Sequence, residues 1–383
     1  MSRSAYFDNA ATSYPKPDEV YSFADKIYRT MGGSIGRGNG AQARSASSLA
    51  RDSKDILKRL LRCENKEVVY TSSATDAINR ILLGLDLARK TVYVSPFEHN
   101  AVTRVLHYLR ASKDVDVRVL PFDKTTLLLM EQEMLNAFDD KKPDLVITTH
   151  ASNVCGAILP IERICTAAKL YDAITLIDMS QTAGLIPLQL SMDTIDFAVF
   201  AGHKTLMAPF GIGGFICGVN EDRISPVIYG GNGVNSISQE MPQDIVLMEE
   251  VGSQNTYAIA GLLASAKWLL EHDDAPAIES ERSEQLIKSL RSHSNIQIIA
   301  EEIACPRTGV VSCLFEGLSP DEAGSVLSDN GISVRAGLHC SPYAHKFLGT
   351  LPLGTVRFSV GPLTTADDIR YLDEVLTFIE KNS

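Results

Sequence analysis

The sequence predicts an α/β protein, with a large domain on a mainly parallel sheet and a smaller α/β domain, and three observations carry that prediction. From about residue 67, β-branched apolar runs alternate with segments of helical period. The alternation ends in a long helical stretch near residue 264, after which helix and strand follow in a different order. The length of 383 residues agrees, because such a chain exceeds the usual size of a single core.

Taken in order, the strands read as EVVYTS, TVYVSP, DVRVLPF, PDLVITTHAS, AITLIDMS, DFAVFAGH and GIGGFICG. Helical stretches begin between them at Ala74, His99 and Thr126, and ERICTAAKLYD continues the rhythm. These segments place the large domain at 16–264. NTYAIAGLLASAKWLLEHDD reads as a long helix, and GVVSCLFEG, PDEAGSVLSDNG, ISVRAG and TVRFSVG then assign 265–383, with 1–15, to the smaller domain. Internal repeats and low-complexity linkers are absent from the sequence.

Composition narrows the class. Apolar residues make up 45% and charged residues 22%, which suits a globular chain rather than a disordered one. A formal charge of -11 argues against direct nucleic-acid binding, which needs clustered Lys and Arg. MSRSAYFDNAAT has no apolar signal core and no run approaches a membrane span, so no membrane association and a cytoplasmic location are expected. The seven cysteines, Cys63, Cys155, Cys165, Cys217, Cys305, Cys313 and Cys340, are scattered and never spaced as C-x-x-C. Neither a disulfide framework nor a metal site is expected, and most of these thiols should be buried.

In parallel α/β sheets ligands sit beyond the carboxyl ends of the strands, so the polar residues there are the candidates. Lys204 follows the apolar run DFAVF, where desolvation would lower its pKa and allow a Schiff base; a solvated loop lysine is the plain alternative. Asp178 ends AITLI, as a carboxylate paired with a pyridinium nitrogen would, or as a helix cap would. In TSSATDAINRIL small hydroxyl residues end a strand and open a helix, so the backbone at Ala74 and Thr75 could receive a dianion, with His203 nearby. An ordinary N-cap by Ser73 or Thr75 reads the same way. His99 could lie against an aromatic ring and shuttle protons, and Asn153 could donate to a phenolic oxygen.

With these motifs in hand, the chain resembles the class V aminotransferases of pyridoxal-phosphate fold type I, and within them the cysteine desulfurases. The resemblance runs from YFDNAAT through TSSATDAIN, FEHN, HASNVCG, LIDMSQTAG, AGHK and EEVGSQN to RAGLHCSP and TVRFS, nearly the whole chain. It implies a pyridoxal 5'-phosphate cofactor carried by Lys204, with Asp178 on the pyridine nitrogen and His99 stacked on the ring. Asn153 and Gln181 would contact the phenolic oxygen, and Ala74, Thr75 and His203 the phosphate. Ser253 stands where the family has a threonine that reaches the neighbouring subunit's phosphate, which implies a homodimer. Arg357 would hold the substrate carboxylate, as the planar guanidinium suits, with Arg335 and Asn153 beside it.

Cys340, in RAGLHC with Arg335 and His339, matches the desulfurase nucleophile in the compact motif of the second desulfurase group. The resemblance therefore implies removal of sulfur from L-cysteine, giving L-alanine and a persulfide on Cys340 for a protein sulfur acceptor. Selenocysteine lyase chemistry, another class V reaction or a non-catalytic sulfur-relay scaffold stay open. Gly40, Met179, Leu363 and Thr364 depart from the family pattern and bear on substrate preference and acceptor docking.

Overall fold

The computed structural model describes residues 3–36, 38, 40–219, 221–234 and 237–382. Its strands are β1 (Ala5–Tyr6), β2 (Glu67–Thr71), β3 (Thr91–Val94), β4 (Asp116–Val119), β5 (Leu145–Thr149), β6 (Ile174–Asp178) and β7 (Phe197–Ala201). There follow β8 (Gly213–Cys217), β9 (Ile296–Ile298), β10 (Val310–Phe315), β11 (Ile332–Ser333), β12 (Arg335–Gly337) and β13 (Thr355–Ser359). A seven-stranded sheet has the order β2-β8-β7-β6-β5-β3-β4. The pairs β4–β3, β3–β5, β5–β6 and β6–β7 are parallel, whereas β8 is antiparallel to both β7 and β2. β2 consequently points the same way as β7, and the carboxyl ends of β2 to β7 share one edge.

Side-chain alternation explains how one sheet supports two apolar layers. Val69, Val92, Leu176, Val199 and Phe215 face the helices Ala74–Gly84 and Asn100–Lys113. Their neighbours Val68, Tyr93, Ile177, Ala198 and Ile216 face the opposite layer, which includes the helices Ala41–Leu60, Glu131–Asp140, Ile161–Lys169 and Thr256–Glu271. The last of these is the long helix expected from NTYAIAGLLASAKWLLEHDD, and its almost uniformly apolar sequence matches its burial.

A four-stranded antiparallel sheet, β12-β13-β10-β9, carries a separate apolar layer with Phe7, Leu286, Val311, Phe358 and Leu372, and β1 pairs in parallel with β11. The helical stretch expected from Thr126 begins instead at Glu131. Asp123 explains the delay: its Oδ1 accepts from the N–H groups of Thr125 and Thr126 and from the Thr126 hydroxyl, closing a turn ahead of the helix. Among the described residues no helix is long and apolar enough to cross a membrane. All seven cysteines are free; Cys305 and Cys340 are half-buried and the others buried.

Candidate active site

The loops after β2, β3, β5, β6 and β7 converge with Arg335, His339 and Arg357 around one cavity. Ala74, Thr75, His99, Asn153, Asp178, Gln181, His203 and Lys204 all line it.

At one end stands the N-terminus of the helix Ala74–Gly84. Ser73 is its cap, with Oγ accepting from the Asp76 N–H at 3.1 Å, so the capping role falls to Ser73 and not Thr75. Gly213 lets β8 run directly beneath: a Cβ there would lie 2.6 Å from the Ser73 carbonyl carbon and 2.7 Å from the Ala74 nitrogen. The helix dipole and unpaired first-turn N–H groups make this end suited to an anion. His203 stands near it with a buried Nδ1 that has no partner among the described residues, its ring against Phe210 and its pKa pushed down to about 4 by burial and then by Lys204 and Lys16.

At the centre, Asp178 ends β6 and is buried, and its Oδ1 accepts from the Ser180 N–H at 2.9 Å. Lys204 is half-buried, and desolvation moves its pKa below that of an ordinary lysine, against the opposing pull of Asp178. His99 caps the helix Asn100–Lys113, its Nδ1 accepting from the Ala101 N–H at 3.0 Å. Burial first, then Lys204, lowers its pKa to about 4, with Asp178 pulling the other way. The ring is therefore neutral at pH 7 with its proton on Nε2, free to be donated. Gln181 donates to the Ala10 carbonyl at 2.9 Å.

At the far end, Arg357 is 1% exposed. One terminal nitrogen donates to Asp8 at 2.7 Å, another to the Asn153 carbonyl at 3.1 Å, and its buried Nε has no partner among the described residues. Arg335 lies opposite Arg357 across the β12–β13 pair and donates to the Cys340 sulfur at 3.2 Å. Cys340 does not line the cavity itself; it occupies a turn between β12 and the helix Pro342–Leu348, with φ of 59°.

Ser253 is not brought to this cavity. It lines a separate depression with Ser72, Asp76, Arg80 and Gln254. Two residues escaped the sequence reading of roles. Asp8 lay inside the quoted motif YFDNAAT, yet nothing in one sequence pairs it with Arg357, 349 positions away. Glu98, in FEHN, is fully buried, accepts from Ser95 Oγ at 2.5 Å and Thr149 N–H at 2.7 Å, and is pushed up to about 7 chiefly by burial.

The family model for aminotransferase class-V matches residues 5–372. A probable cysteine desulfurase of Methanothermobacter thermautotrophicus is 26% identical over 383 residues, covering 97% of this chain and 93% of that protein. Cysteine desulfurase CsdA of Escherichia coli is 26% identical over 375 residues, covering 95% and 91%. Among solved structures, the apo cysteine desulfurase of Thermococcus onnurineus superposes with a TM-score of 0.88 at 24% identity, covering 99% of this chain and 95% of that one. At those identities the structural likeness speaks for the fold.

Proposed function

Because the chain belongs to the class V aminotransferase family, we propose that it is a pyridoxal-phosphate-dependent cysteine desulfurase with Lys204 and Cys340 as its reactive groups. The observation that carries this reading is the 3.2 Å bond from Arg335 to the Cys340 sulfur, at the rim of a cavity that also holds Lys204 and Arg357. The sulfur transfer assigned to this family needs such a thiol; transamination does not.

The residues present fit the cofactor. The unpartnered Nδ1 of His203 and the helix N-terminus over Gly213 suit a phosphate, Asp178 suits a pyridinium nitrogen, and the Asn153 and Gln181 amides suit a phenolic oxygen. When bound, pyridoxal phosphate supplies an electron sink that loosens the bonds at the substrate Cα. Lys204, its basicity lowered by burial, would hold the cofactor, and its amine is placed to take the substrate Cα proton. Arg357 binds the cysteine carboxylate, with Asp8 balancing its charge. Neutral His99 keeps a proton on Nε2 for delivery. Cys340 attacks the substrate sulfur as a thiolate; an S–S bond forms, the C–S bond breaks, and its electron pair stays with Cβ, which takes a proton, while Lys204 returns a proton to Cα to complete alanine.

The persulfide on Cys340 then passes to a protein acceptor that comes to the site, since the turn is too short to carry the sulfur far. Homodimerisation belongs to the same reading and is supported by Ser253 standing apart from its own chain's cavity; sedimentation at micromolar concentration should return a dimer. The division into 16–264 against 1–15 plus 265–383 is supported by the seven-stranded sheet falling wholly within residues 67–217. A cytoplasmic location also remains part of the proposal.

Incubating the protein with L-cysteine and assaying alanine and protein-bound persulfide tests the function. Cys340→Ala should retain the cofactor and lose about a hundredfold or more in rate, roughly 2.7 kcal/mol of barrier. Parallel replacement of the buried Cys155 or Cys313 should change turnover only a few-fold. Undiminished persulfide formation by Cys340→Ala would refute the mechanism.

A further inference from the structure

We propose that Ser341 is a positioning residue whose hydroxyl, acting through the Asn153 amide, clamps the turn that carries Cys340 against the cavity. The inference rests on the reading of Cys340 as the sulfur acceptor and adds the device that holds it in place.

The turn needs holding. His339 and Cys340 both adopt left-handed backbone, with φ of 49° and 59°. For residues with a side chain that conformation costs about 1–2 kcal/mol each, so bonds from outside the turn must sustain it. Asn153 Nδ2 donates to the His339 carbonyl at 2.8 Å, and the Asn100 N–H donates to the Cys340 carbonyl at 2.7 Å. Ser341 Oγ donates to Asn153 Oδ1 at 2.6 Å.

Ser341 occupies the N-cap of the helix Pro342–Leu348, where a serine usually accepts from a first-turn N–H. Here it makes no such capping bond. Its hydroxyl goes to Asn153 instead, and since Ser341 is fully buried, water cannot replace it. The bonding is also one-way. A carbonyl oxygen can only accept, so Asn153 must turn its NH2 toward His339, and its Oδ1 then faces Ser341, which must donate. The amide is thus fixed from both sides, and it lines the same cavity as Lys204. A displacement of Asn153 would move the Cys340 turn with it.

The test uses cofactor-loaded protein. Loss of one hydrogen bond of typical net strength predicts that Ser341→Ala alkylates Cys340 with iodoacetamide about fivefold faster and loses about tenfold in kcat for persulfide formation. The KM for cysteine should hold within about twofold, since Arg357 keeps its partners. Ser341→Thr, which retains the hydroxyl, should restore the parent alkylation rate. In the pair of variants Asn153→Ala and Asn153→Ala/Ser341→Ala, the second should alkylate no faster than the first, because the two residues act as one unit. Parent-like alkylation in Ser341→Ala, or additive effects in the double variant, would overturn the clamp. If Ser341→Ala does not fold, Asn153→Leu serves instead: a side chain of similar size that can neither donate to the His339 carbonyl nor accept from Ser341, so alkylation must rise, and an unchanged rate would overturn the clamp. Alkylation reports on the thiol whatever the chain does with cysteine, so failure of the desulfurase reading and failure of the clamp are separate results.

Discussion

At the scale of single residues, burial shifts protonation in directions that suit the proposed chemistry. Lys204 is held below the usual lysine range by desolvation, although Asp178 draws its charge the other way. His99 is kept neutral for the same reason and has its Nδ1 committed to the Ala101 N–H. The purified protein should therefore be yellow, bleach on borohydride reduction and retain the label on Lys204. Lys204→Ala should be colourless after the same treatment, and a label recovered on any other lysine would sink the assignment. Lys204 was legible in the sequence because it ends an apolar run; its electrostatic surroundings were not, since Arg335 and Arg357 come from more than a hundred positions away.

At the scale of elements, the end of the cavity suited to an anion is a matter of one helix placed over one strand. Gly213 has no room for a Cβ against the Ser73 and Ala74 backbone. Gly213→Ala must push the helix N-terminus outward, and an overpacked site of this kind costs about 1–3 kcal/mol of stability. Its specific effect should be on the anion: affinity for pyridoxal phosphate should fall about tenfold, or 1.4 kcal/mol, while uptake of pyridoxal without phosphate stays near that of the parent. Equal weakening of both would show that Gly213 serves packing alone. The helix start itself was readable from TSSATDAIN, but only packing settled which hydroxyl caps it. The late start of the helix Glu131–Asp140 shows the reverse case, in which the side chain of Asp123 closes a turn that periodicity does not register.

At the scale of the whole molecule, stability should depend on pH through buried carboxyls. Glu279 is 8% exposed, accepts from the Gly309 N–H at 2.9 Å and is pushed up to about 7 by burial. Between its ordinary value of 4.5 and about 7, the folded chain keeps a proton that the unfolded chain releases. Stability is thus lost as pH rises through that window. The neutral buried imidazoles of His150 and His339, lowered to about 4 and about 2, act oppositely by losing stability as pH falls below 6.5. Glu279→Gln mimics the protonated acid and leaves those groups in place. Urea unfolding should therefore show the variant gaining on the parent between pH 5 and pH 8 by up to about 3 kcal/mol, and a pH-independent difference would exclude the titration. By itself the sequence determined the α/β class, the mainly parallel sheet and most of the residues at its carboxyl edge, because strand and helix periods and apolar runs are local properties. Only the tertiary structure decided that Asp8 neutralises Arg357, that Arg335 reaches the Cys340 sulfur, and that Asn153 is shared between the cavity and Ser341. Those partners meet through pairing between distant strands and through buried hydrogen bonds, whose geometry no single sequence spacing encodes.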